Sequence, residues 1–230
     1  MPYSRSGLTD LLHRLGFTHK LITPIPCLVD DQAGFLNELA ALEAHVERCK
    51  TVLYYADAAH PTHNTRCTRA WCPVGKERPL LTVSGRERVN RNAALNDYEP
   101  TQVLLDETNC VNAQSTRRLY EQLLIAHPDK AWIYVICDNA CSYKNKGLRA
   151  WLADKRLMQV FLPPYPPNLN LIECFWKYLR QKLINATFYR TKGQFRAAVL
   201  DFFNQFPESG PALASLLTRK FHIPDAQPTS

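Results

Sequence analysis

The sequence predicts an α/β domain, a sheet layered with helices, and three observations carry that prediction. Short apolar runs of strand length alternate, in the second half of the chain, with amphipathic helical patterns. Three of those runs end in an aspartate, at the strand ends where open α/β sheets take ligands. The composition, 46% hydrophobic and 10% aromatic over 230 residues, supplies one substantial core.

Residues 6–16 read as a short helix: Leu8, Leu11, Leu12 and Leu15 recur at helical spacing, Ser6 can open it and Gly16 close it. An extended, proline-broken linker follows. A second amphipathic helix spans 32–48 through Phe35, Leu36, Leu39, Leu42 and Val46. Strands are expected at "TVLYYAD" (51–57), "RPLLTVSG" (78–85) and "TQVLLDE" (101–107). Next come a helix at 113–126, a strand at "WIYVICD" (132–138), a helix at 144–154 and a fifth strand at "LMQVFLP" (157–163). Helices at 169–184 and 191–206 complete the order. The sequence contains no internal repeat and no low-complexity tract.

Charge is unevenly placed. The net is +7, but residues 60–92 hold seven Lys/Arg against two acids and residues 174–220 hold eight against two, leaving the remainder acidic. Two basic blocks on an acidic chain point to a polyanion-binding surface or a solubilising face. No apolar run approaches the roughly 18 residues of a membrane span, and the N-terminus lacks a signal-peptide core, so a cytoplasmic protein is expected. The eight cysteines include no C-x2-C pair and read as reduced thiols. His60, His63, Cys67 and Cys72 form the one local zinc candidate, with a spacing that fits no zinc pattern. No phosphate-binding glycine loop occurs, which excludes the common nucleotide-dependent enzymes.

The three strand-end acids are Asp57, Asp106 and Asp138. A carboxylate ending a buried strand is costly unless paired or metal-bound, although each alone also fits a turn or helix cap. Glu173 opens the helix after "FLPPYPPNLNLI", with Lys177 and Arg180 on its stripe and Ile172, Trp176, Leu179 and Leu183 on the packed stripe beside it. Two aspartates on neighbouring strands and this glutamate can converge on Mg²⁺, whose hard oxygen ligands suit in-line phosphoryl transfer with two ions. Alternatively, Glu173 closes a capping box with Asn170 and pairs with Lys177.

"VICDNA" followed by "FLPPYPPNLNLIECFWKYL" resembles the catalytic core of DDE transposases of bacterial insertion sequences related to mariner elements, with 34 residues between Asp138 and Glu173. The stretch "YYADAAHPTHNTRCTRAWCPVGKERPLLTVSGRERVN" is similar to the opening strand and hairpin of that group. The resemblance implies a ribonuclease-H-like mixed five-stranded sheet flanked by helices, in which the first and fourth strands are neighbours. It selects Asp57, Asp138 and Glu173 as the catalytic, metal-binding triad and leaves Asp106 toward the sheet edge. The implied reaction is cleavage of transposon-end DNA and strand transfer into target DNA, typically at TA, with two Mg²⁺ or Mn²⁺ ions.

Lys177 and Arg180, on the Glu173 stripe, are candidate DNA contacts, and Arg66, Arg69, Arg86 and Arg88 are candidate phosphate contacts or solvated surface residues. His60, His63 and Asn139 are candidate cleft-lining residues, and the resemblance implies a homodimer on DNA within the bacterial nucleoid. The implied organisation is a helix-turn-helix remnant with a linker helix at 1–47, a catalytic domain at 48–206 and a tail at 207–230. Two departures stand out. Tyr143 occupies a place where members often carry histidine. At the front, only "YSRSGLTDLLHRLGF" resembles the end of the usual paired helix-turn-helix modules, so end recognition is expected to need a separate helix-turn-helix polypeptide. A DNA-binding chain without catalysis, or another ribonuclease-H-like nuclease, is the alternative.

Overall fold

The computed structural model describes residues 5–17, 34–41, 50–65, 74–75, 79–83, 87–163, 170–185 and 187–206. Helix α1 runs Arg5–Arg14 and stops as its sequence dictates. Gly16 takes φ +83, a conformation costly for any residue with a Cβ, and the Phe17 N–H turns back onto the Leu12 carbonyl at 2.9 Å. Residues 34–41 form α2, whose Phe35 and Leu39 are buried. The rest of the expected 32–48 helix lies outside the described residues.

Strand β1 (Thr51–Ala59) is central. It pairs antiparallel with β2 (Asn90–Asn96), which pairs antiparallel with β3 (Val103–Thr108). After α3 (Ala113–Ala126), β4 (Trp132–Cys137) lies parallel to the other side of β1. Helix α4 (Lys146–Leu152) then leads to β5 (Leu157–Phe161), parallel to β4. The sheet order is therefore β3-β2-β1-β4-β5, with the first and fourth strands adjacent as the resemblance implies. Helices α5 (Leu171–Leu183) and α6 (Lys192–Gln205) follow.

The near-continuous apolar run of β1 is explained by burial on both faces. Val52, Tyr54 and Ala56 face one layer with Leu119, Tyr120 and Leu123 of α3 and Leu148 of α4. Leu53 and Tyr55 face the other, against Ile172, Phe175, Trp176 and Leu179 of α5, Phe206 and Phe35. This second layer carries the functional site. Local signals place its partners: Asn112 caps α3 through a capping box with Ser115, and Asn145 caps α4.

The second strand is a correction. Residues 79–83, inside the expected 78–85 strand, are irregular and Leu81 is exposed, while β2 is "NRNAALN". That segment has no β-branched residue and three asparagines, so propensity argues against a strand. Tertiary context wins: Ala93 and Ala94 are fully buried where a small side chain lets both helical layers approach, and Asn96 bonds Gln102 at 2.6 Å.

Candidate active site

Asp57 lies inside β1 and Asp138 just beyond the end of β4. The last paired residues of these parallel strands are Ala56 and Cys137, which brings the two aspartates side by side. Side chains alternate along strands, so both project to the face covered by α5. Asp138 is oriented by a short turn in which its Oδ1 accepts from the Ala140 N–H at 2.9 Å. Asn139 fixes the same turn by donating from Nδ2 to the Leu162 carbonyl at 2.7 Å. Asp57 Oδ1 accepts from the Ala58 N–H at 2.7 Å.

Glu173 comes from the first turn of α5. Asn170 opens that helix without any side-chain cap bond, and its Oδ1 is buried and unpartnered. The capping-box account of Glu173 therefore fails, and no ion pair joins Glu173 to Lys177 among the described residues. What acts on Glu173 is partial burial, which raises its pKa, opposed by Arg180, with Asp138 adding to the rise. The proline connector at 164–169 lies outside the described residues.

Electrostatics tie the three acids together. Burial, joined by the charges of Asp138 and Glu173 and opposed by the Ala58 N–H, pushes Asp57 up to about 7. The Trp176 indole N–H, buried without a well-formed hydrogen bond, lies close enough to oppose the rise. Three carboxylates thus share one end of the sheet with little compensating charge, the donor chemistry that suits a hard divalent cation. They do not yet close on one point: among the described residues no group of three or more His, Cys, Asp or Glu is arranged to hold a metal. Glu173 is exposed and has room to move.

Asp106 sits on the edge strand β3 and accepts from Arg118 Nε at 3.1 Å and Nη2 at 2.8 Å. Arg88, Lys177 and Arg180 are exposed, whereas Arg66, Arg69 and Arg86 lie outside the described residues, as do Cys67 and Cys72. His60 is exposed, with Nδ1 at 2.7 Å from Asn90 Oδ1. His63 is buried, its Nε2 at 2.8 Å from the Tyr189 carbonyl and its ring stacked 5.7 Å from Phe195, so it ties the loop after β1 to α6. Tyr143 is buried with its hydroxyl unpartnered, on the layer opposite α5. Cys110, Cys137, Cys141 and Cys174 are free thiols. In the sequence Trp176 reads as a packing residue, and its place three positions after Glu173 is the signal that it also faces the acids. No helix among the described residues is long and apolar enough to cross a membrane.

A family model described as "DDE superfamily endonuclease" matches residues 52–196. No curated protein matches the chain. Among solved structures, the Mos1 transposase paired-end complex with left transposon end is similar at TM-score 0.64 and 13% identity, covering 95% of this chain and 72% of that one. The Mos1 mariner paired-end complex with Mn gives TM-score 0.62, 13% identity, and 95% and 72% coverage. The corresponding complex with Mg gives 0.59, 14%, and 94% and 71%. At these identities the likeness establishes the fold, the ribonuclease-H-like sheet of transposase catalytic domains.

Proposed function

Because the chain belongs to the DDE superfamily of endonucleases, we propose that it is the catalytic part of a DNA transposase, of the kind found in bacterial insertion sequences related to mariner elements. Asp57, Asp138 and Glu173 are its catalytic residues. The observation that carries this reading is the pairing of Asp57 with Asp138 at adjacent strand ends, facing Glu173, with Asp57 raised to about 7 by burial and by those two neighbours. A fold spends stability on such a cluster when a cation is to occupy it.

The same three residues would hold the metal, Mg²⁺ or Mn²⁺, the ions named in the Mos1 complexes. Two such ions, when bound, supply activation of an attacking oxygen and stabilisation of a leaving one in a phosphodiester. The chain's own residues do the rest. The Ala140 N–H fixes Asp138, the Ala58 N–H fixes Asp57, and α5 carries Glu173 over both. Closing on a cation takes a change of side-chain rotamer, for which exposed Glu173 has the room. Arg180, about two turns along the same stripe, favours the ionised form of Glu173, and with Lys177 it offers phosphate contacts.

Partners follow by the same reading: transposon-end DNA, TA target DNA, and a second copy of the chain to bring two ends together. A separate helix-turn-helix polypeptide would supply end recognition, and residues 48–206 form the catalytic domain between an N-terminal region at 1–47 and a tail at 207–230. A DNA-acting bacterial enzyme would work at the nucleoid. Nicking of a supercoiled plasmid by the purified chain with Mg²⁺ or Mn²⁺ tests the reading. Metal-dependent nicking absent from Glu173→Gln is expected. A folded wild type that binds DNA and never nicks it would reduce the chain to a DNA-binding protein.

A further inference from the structure

Arg91 has no exposed surface, yet it forms the floor of a cavity at the β2–β3 edge of the sheet. Its Nη1 lies 3.0 Å from Glu107 Oε1 on the paired strand, while Nε and Nη2 are buried with no hydrogen-bond partner. A guanidinium holding unused donors out of water is unfavourable until something accepts from them. Three more cations, Arg88, Lys192 and Arg196, line the same cavity with the carboxylate of Glu107, and Glu87 stands outside the lining, 3.9 Å from Lys192. The Glu107 carboxylate also accepts from Arg196 Nε at 2.6 Å, so it sets two guanidiniums side by side without neutralising the cluster. The cavity encloses about 470 Å³, ample for a phosphate group.

The arrangement is built in advance. Val89, just before β2, packs with Ile184, Phe195 and Val199, which fixes the N-terminal half of α6 against the strand and brings Lys192 and Arg196 over Arg91. The Val89 N–H bonds the Pro61 carbonyl at 3.0 Å, and Thr62 bridges Arg88, so the loop leaving β1 is tied to the same place. Strand register then relates the cavity to the acids. Asp57 stands opposite Ala93, Ala59 opposite Arg91, and Arg91 opposite Glu107. Residues two apart on a strand share a face, so Arg91 and Asp57 lie on the same face with their Cα atoms on the order of 8 Å apart. That is a reach of about two or three nucleotides along one strand at 3.4 Å each.

We propose that this cavity binds a backbone phosphate of the DNA strand that crosses Asp57, with Arg91 and Arg196 as a paired guanidinium fork and Arg88 and Lys192 closing the rim. Arginine donors match phosphate oxygens in a fixed planar geometry, and a buried one is screened little by salt. The assignment rests on the reading of the chain as a DNA-cleaving enzyme, and it deepens that reading by giving the substrate a path from the acids to the β2–β3 edge.

The test compares full-length wild type with two double variants of equal charge. R88A/K192A removes the exposed rim of the cavity, and K50A/K155A removes two cations from the opposite end of the sheet. Duplex binding is followed by fluorescence anisotropy over a NaCl series without divalent metal, beside plasmid nicking with Mg²⁺. For R88A/K192A an affinity loss of about 10-fold at 0.1 M salt is expected, with a salt slope shallower by about one to two. K50A/K155A should stay within twofold of wild type. The Arg91 Nε–H resonance, identified by its absence in Arg91→Lys, should shift when duplex is added.

Equal losses in the two double variants would overturn the site. So would an Arg91 resonance that moves with inorganic phosphate and not with duplex, the signature of a small-anion site. A wild type that nicks while R88A/K192A binds and nicks equally well overturns the pocket alone. A wild type that neither nicks nor binds duplex overturns the DNA-cleaving reading beneath it.

Discussion

Asp57 and Asp138 occupy equivalent places on adjacent parallel strands, one residue past the last register pair, Ala56 opposite Cys137. Strand pairing thus sets two carboxylates beside each other before any helix is considered, and α5 adds the third from above. The backbone, through β1 and β4, carries the cost of holding like charges together. The short Ala140 N–H bond to Asp138 is the local device that keeps one of them aimed.

This cost should be visible in the metal-free protein as a pH dependence of stability. The Asp57 carboxyl ionises near 3.8 in an unfolded chain and near 7 when folded. Between those values the folded state binds the extra proton, so the contribution of Asp57 to stability is full at or below about pH 4, is lost as pH rises through about 7, and then stays constant. The loss is up to about 4 kcal/mol, at about 1.4 kcal/mol per pH unit. Glu173, also raised, contributes in the same direction. Asp57→Asn should flatten the profile and be more stable than wild type at pH 8. Urea midpoints in chelator between pH 4 and 9 check this, and parallel profiles for the two proteins would count against it.

Removing single acids should separate chemistry from folding. Asp138→Asn and Glu173→Gln each leave the shape of the site and remove one charge. Nicking with Mg²⁺ is expected to fall by about 10²–10³-fold or more. Duplex affinity without metal and far-UV circular dichroism should stay near wild type. Wild-type nicking by either variant would remove that residue from the triad.

Asp106 provides the contrast. It is buried among the half-buried residues of β3, as Asp57 lies toward the end of β1, but the Arg118 fork already satisfies both of its oxygens. Asp106→Asn should keep metal-dependent nicking within a few-fold of wild type and cost about 1 kcal/mol of stability. Arg118→Ala should cost a similar amount, and the double variant less than the two together. A nicking defect comparable to that of Asp138→Asn would show that the edge strand belongs to the site.

Much of this organisation is legible in the sequence, for identifiable reasons. The strands β1, β4 and β5 are apolar runs, α3 and α5 have clear helical stripes, and the acids end strands. The misplaced second strand shows the limit. "RPLLTVSG" has the composition of a strand, but Leu81 within it is exposed, whereas "NRNAALN" holds its place through small residues wedged between two helical layers. Arg91 was hidden for the same reason: within a basic block it reads as one more surface cation, and only the register to Glu107 shows it buried. The choice among Asp57, Asp106 and Asp138 likewise depends on strand order, which local sequence does not encode.

Arg156 supports the fold from the end of the sheet opposite the acids. Its guanidinium donates to the carbonyls of Leu124 at 2.9 Å, His127 at 2.6 Å and, from the same Nη1, Lys130. These oxygens belong to the last turn of α3 and the turn after it, where a helix has no intrahelical donors left. One planar cation therefore closes the helix and joins it to the edge of the sheet, since Arg156 directly precedes β5 and its carbonyl accepts from the Ile133 N–H of β4 at 2.8 Å. Arg156→Ala should destabilise the protein by about 1–3 kcal/mol. Arg156→Lys should recover less than half of that, because a single ammonium cannot span three carbonyls in a fixed plane. Below the melting transition the nicking rate of both variants should match wild type, since β1 and β4 are still held by their own register. A nicking loss greater than the unfolded fraction would mean that the far end of the sheet controls how Asp57 and Asp138 are set, and strand pairing alone would no longer account for the site.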